Sequence, residues 1–164
     1  MPLSFESKIH SFGTPSMIEF QQIICYHKNQ NHNQKRKNRI MIAALIITSG
    51  YTNSKSQFKP EKVIGTITAV ERVAILLQQT GIDRIVVVCE KNSKLKKFHS
   101  SVNLTFLYSP SGGEMLDSIK TGLDYLQDKC TGVLIAYVDV PMFSMHTVES
   151  LITAGGDICI PSYQ

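Results

Sequence analysis

A chain of 164 residues with 43% hydrophobic content can bury one substantial core but not two, and such a composition argues against both a disordered and a membrane-embedded protein. The longest apolar run, Ile40 to Ile47, falls far short of the roughly 20 residues that cross a bilayer, and no apolar stretch follows the initial Met as a secretory leader would require. The net charge of +4 is unevenly placed: six of the 17 basic side chains but only two of the 13 acidic ones lie in residues 1–40, so the remainder is neutral, which argues against nucleic acid as the partner of the folded body.

The four cysteines, Cys25, Cys89, Cys130 and Cys159, stand far apart and form no CxxC pair. That spacing favours reduced, buried thiols in a cytoplasmic protein over disulfides or a metal site.

Residues 1–38 read as a polar and basic extension. His27 to Asn38 is almost wholly Asn, Gln, His, Lys and Arg, with nothing to bury. The short apolar patch Met17 to Tyr26 is expected to form one helix or one strand. Lys35 to Arg39 reads as a solvated linker rather than a phosphate-binding patch, and His27 and His32 lack neighbours at ligand spacing.

From Arg39 to Gln164 the pattern alternates. Ile40–Thr48 is a continuous β-branched and apolar run, the mark of a strand buried on both faces. Thr68–Gln79 carries Val70, Val73, Ala74 and Leu77 at helical spacing and is closed by Gly81. Arg84–Cys89 predicts a second strand, Lys91–Phe98 a short basic helix, and Leu104–Tyr108 a third strand. Glu114–Gln127 places Met115, Ile119, Leu123 and Leu126 on one helical face. Gly132–Val138, Ser144–Thr153 and Asp157–Ile160 follow as strand, helix and strand.

Five strands alternating with helices imply parallel pairing through right-handed crossovers, with helices on both faces of the sheet. The expected fold is a Rossmann-like, doubly wound α/β domain of five mostly parallel strands in the order 3-2-1-4-5. Its ligand crevice should lie where the winding reverses, between the first and fourth strands. That sets the loop 48–60 against the segment Asp139–Pro141.

In the first of these loops Thr48, Ser49 and Gly50 end a buried strand, where small residues let the backbone approach a ligand. Lys59, nine residues beyond Gly50, is placed to return as a point charge against a polyphosphate. Alone, the segment reads equally as a polar connection, since it is neither a Walker A loop nor a GxGxxG turn. Asp139 directly follows the fourth strand and offers hard oxygen to Mg²⁺; the competing reading, a helix cap, is weakened by the better cap in Ser144. Gly112 and Gly113 free the backbone before a helix N-terminus, and Ser118 falls one turn into that helix. Glu114 and Asp117 suit a helix start on dipole grounds alone.

Together these segments resemble the molybdenum-cofactor-type nucleotidyltransferases, the cytidylyl- and guanylyltransferases that join a nucleotide to molybdopterin. That family opens with a strand leading into Leu-Ala-Ala-Gly, then an Arg, then Lys-Pro. The counterparts here are Ile47-Thr48-Ser49-Gly50 and Lys59-Pro60, with Gln57-Phe58 before the lysine as in cytidylyl members. The helix containing Glu71-Arg72, the Gly113-Glu114-Met115 turn with Ser118 and Gly122, and Asp139-Val140-Pro141 match further family segments in order.

The resemblance implies a nucleotide-diphospho-sugar-transferase-like fold. It also implies a nucleotide cradled by Thr48, Ser49, Gly50, Gly113 and Ser118, phosphates met by Lys59, and Mg²⁺ held by Asp139. The implied reaction transfers CMP from CTP, with GTP as the other candidate, to a phosphorylated acceptor such as molybdopterin, releasing pyrophosphate. Two departures stand out: Ser54 replaces the loop arginine, and Thr48-Ser49 replace the paired alanines. The family also continues beyond the position matched by Gln164, so the alternative expectation is a truncated, inactive nucleotide-binding homologue.

Overall fold

The computed structural model describes residues 23–27, 41–48, 63–91, 93, 95, 101–109, 114–139, 141–154 and 158–160. The apolar patch of the N-terminal segment forms a strand, β1 (Ile23–His27). The first long apolar run forms β2 (Ile42–Ile47), whose last five residues are buried, as a strand covered on both faces must be.

A short hairpin follows, β3 (Val63–Ile64) and β4 (Ile67–Thr68), paired antiparallel. Its two-residue connection begins with Gly65 at φ 69°, a backbone angle that a side chain would strain. Sequence periodicity did not reveal this hairpin, because two-residue strands have no period to read.

Helix α1 (Ala69–Gln79) starts where Thr68 accepts a hydrogen bond from the Glu71 amide at 3.2 Å. It stops at Gly81, whose φ of 83° breaks the helical path. Strands β5 (Ile85–Glu90) and β6 (Leu104–Ser109) come next. The basic helix expected over Lys91–Phe98 falls mostly outside the described residues, within which Leu95 is buried.

Helix α2 (Met115–Leu126) is capped by Glu114, whose amide donates to Asp117 Oδ2 at 2.9 Å. Strand β7 (Gly132–Tyr137), helix α3 (Met145–Thr153) and strand β8 (Ile158–Cys159) complete the described chain. Ser144 caps α3 by accepting from the Thr147 amide at 3.1 Å.

The main sheet has the order β6-β5-β2-β7-β1-β8. Its first four strands are parallel and arranged as the alternation implies: β6 beside β5, β5 beside β2, β2 beside β7. The expected adjacency of the fourth and fifth strands does not hold. Strand β1 lies between β7 and β8 and runs antiparallel to both, so the sheet has six strands rather than five. The polar run after His27 made this segment look detached, whereas its apolar residues Ile23, Ile24, Cys25 and Tyr26 suit an interior strand.

The period of two along β2 splits the core. Ala44 and Ile46 face a layer made with Val70, Val73, Ala74 and Leu77 of α1 and Val148 and Leu151 of α3. Ala43, Leu45 and Ile47 face the other layer, with Ile119, Leu123 and Leu126 of α2. Fully burying each of these large aliphatic side chains contributes about 1.5–3 kcal/mol. Helices therefore cover both faces, and among the described residues none is long and apolar enough to cross a membrane.

Candidate functional site

The site grows from one register. Strands β2 and β7 pair from Ile42 with Gly132 to Ile47 with Tyr137, so they end side by side. The Val138 amide donates to Ile47 O at 3.3 Å and extends the junction by one residue. Thr48 on one strand end and Asp139 beyond the other therefore open onto the same edge of the sheet. The crossover through α1 lies on one face and that through α2 on the other, so the winding reverses between β2 and β7.

Asp139 carries the clearest chemical signal. Its Oδ1 is buried and, among the described residues, has no hydrogen-bond partner. A buried carboxylate oxygen without a donor is costly and asks for a ligand, a cation above all. The structural alternative is removed, since α3 is capped by Ser144. No group of three or more His, Cys, Asp or Glu side chains gathers among the described residues. One carboxylate fits Mg²⁺ that takes its other oxygens from water and substrate phosphates, and would not fit a cation needing an all-protein cage.

Two neighbours shape the surroundings of this carboxylate. Burial, and then the negative charge of Asp139, push the Tyr137 hydroxyl above its ordinary value. Arg72 of α1 donates from Nε to Pro141 O at 3.3 Å, tying that helix to the segment after Asp139. The sequence contained both residues but not this tie, because nothing local links positions so distant along the chain.

Thr48 is only 8% exposed, and both its donors turn inward: its amide and its Oγ1 donate to Val88 O, at 3.1 and 2.9 Å. The threonine that stands where the resembling family has alanine thus fastens the end of β2 to β5. Ser118, on the buried side of α2, is 1% exposed, so burial and not an open surface is what the structure gives it. Ser49, Gly50, Lys59 and Gly113 lie outside the described residues, as do Lys35 to Arg39 and Ser54.

Solved structures share this architecture. The chain is similar to Rv0371c from Mycobacterium tuberculosis H37Rv, with a TM-score of 0.54 and 13% identity over 70% of this chain and 60% of that one. It is also similar to the 4-diphosphocytidyl-2C-methyl-D-erythritol synthase of Anaerococcus prevotii DSM 20548, with a TM-score of 0.51 and 21% identity over 70% of this chain and 52% of that one. The chain thus spans about half to three-fifths of the length of these neighbours. At such identities the likeness establishes the fold, a parallel-sheet α/β fold shared with these neighbours. No curated protein matches the chain. The MobA-like NTP transferase domain matches residues 44–164, from the middle of β2 onward through Asp139 to β8. The chain belongs to the MobA-like NTP transferase domain family.

Proposed function

We propose that this protein transfers a nucleoside monophosphate from a nucleoside triphosphate to a phosphorylated acceptor, releasing pyrophosphate. The observation that carries the proposal is Asp139 Oδ1, buried and without a hydrogen-bond partner among the described residues, at the junction of β2 and β7 and inside the family-matched span. Asp139 would hold Mg²⁺, and the ion would neutralise charge on the triphosphate during transfer.

The backbone at Ser49, Gly50 and Gly113 would approach the nucleotide closely, and Lys59 would meet its phosphates. Arg72 would keep the Asp139–Pro141 turn in place through its bond to Pro141 O. Alignment and charge neutralisation then supply the acceleration, with no covalent intermediate. CTP is the proposed donor, on the Gln57-Phe58 pair; one structural neighbour also has a name that carries a diphosphocytidyl group. Molybdopterin is the proposed acceptor by family resemblance.

Adding CTP with Mg²⁺ should raise the thermal midpoint of the full chain by mass action, more than GTP does. A midpoint indifferent to every triphosphate would overturn the proposal. A second reading, nucleotide binding without turnover, is favoured by Thr48, whose donors are both engaged with Val88 O. Pyrophosphate release on adding molybdopterin and CTP separates the two, because turnover removes the silent reading.

A further inference from the structure

Strand β1 lies before the family-matched span, yet it occupies an interior position in the sheet. Its register brings two cysteines into one row. Cys25 is the direct partner of Leu134 on β7 and of Cys159 on β8. Leu134 and Cys159 both belong to the core layer beneath α1 and α3, and position 25 is the register partner of both.

Directly opposed residues of an antiparallel pair have Cα atoms about 4.5–5.5 Å apart, inside the range of roughly 4.4–6.8 Å that a disulfide spans. Cys159 is a thiol, 9% exposed, and its Sγ makes one weak contact, with Ala154 O at 3.7 Å.

We propose that Cys25 and Cys159 form a redox-sensitive latch, in which oxidation converts the two thiols into one disulfide that locks the N-terminal strand to the sheet. With oxidised glutathione as the oxidant, one protein thiolate attacks it and releases a reduced glutathione. The second protein thiolate then displaces the other glutathione, giving the Cys25–Cys159 bond and two molecules of reduced glutathione in all.

Burial holds the Cys159 thiol above its ordinary value, so latch closure is slow at neutral pH and quickens as pH rises. The bond would close a long loop, from residue 25 to residue 159, and in the chain-entropy account a longer loop restricts the unfolded state more. It would tie β1, the antiparallel neighbour of β7, covalently to β8. The latch does not depend on the proposed reaction.

The test treats the folded full-length protein with oxidised glutathione and maps its peptides by mass spectrometry without reduction. A linked pair of peptides containing Cys25 and Cys159, reversed by dithiothreitol, is expected. The thermal midpoint should rise by about 5 °C or more on oxidation. That rise should vanish in Cys25→Ser and in Cys159→Ser. If Cys159→Ser does not fold, Cys25→Ser and the wild-type map carry the test. Glutathione adducts without the internal link, a link to Cys89 or Cys130, or a link that leaves the midpoint unchanged would each overturn the proposal.

Discussion

At the residue scale the site turns on one oxygen atom. Among the described residues Asp139 Oδ1 is buried without a donor; such an oxygen destabilises the free protein, and a cation relieves that penalty on binding. Asp139→Asn should therefore abolish the Mg²⁺-dependent part of the CTP-induced midpoint shift, while leaving the ligand-free unfolding free energy within about 1 kcal/mol of wild type or higher. A variant that kept the full Mg²⁺-dependent shift would remove Asp139 from the proposed site.

Tyr137 provides a second measurement. Its hydroxyl is raised by burial first and by Asp139 second, so the folded state holds its proton at a pH where the unfolded chain has lost it. The resulting stability is fully present below the ordinary value of 10.0 and fades as pH climbs through the raised folded value. Denaturant titrations across that window should show stability falling more gently in Tyr137→Phe than in wild type.

At the scale of single elements, α2 is set by a close approach to the central strand. A Cβ added at Gly122 would overlap Cδ1 of Leu45, a side chain that is itself fully buried. Glycine is needed there for space rather than for backbone freedom. Gly122→Ala should cost about 1–3 kcal/mol through overpacking, read as a lower denaturation midpoint, despite the better helix propensity of alanine. A neutral or stabilising result would mean that α2 shifts away from the sheet easily.

Most of the elements are legible in the sequence itself. The helices announced their apolar faces and caps: Thr68, Ser144 and the Glu114–Asp117 pair sit where the periodicity begins. The two-residue hairpin of β3 and β4 was not legible, and no window of apolar residues would have exposed it.

For the whole molecule, the consequential feature is the inserted strand. Strand β1 pairs with Ile135, Leu134 and their neighbours on one side and with Ile158 and Cys159 on the other. Removing it would leave β7 and β8 with facing, unpaired backbone groups, a template for association with other chains. Deleting residues 1–27 should lower the thermal midpoint by at least about 5 °C and produce oligomers on size-exclusion chromatography. A truncated protein as stable and as monodisperse as the full chain would show β1 to be dispensable.

The chain order of elements, the parallel pairing of β6, β5, β2 and β7, and the place of Asp139 at the strand ends follow from local pattern. Buried strands and amphipathic helices are encoded within windows of a dozen residues, and right-handed crossovers leave few ways to connect them. The tertiary structure alone decided where β1 sits, that Arg72 holds Pro141, and that Thr48 turns both donors toward Val88. Each of these joins residues 40 or more positions apart. A strand's partner and a hydrogen bond across elements are chosen by which surfaces meet once the sheet has formed, and that choice leaves no period in the sequence to read.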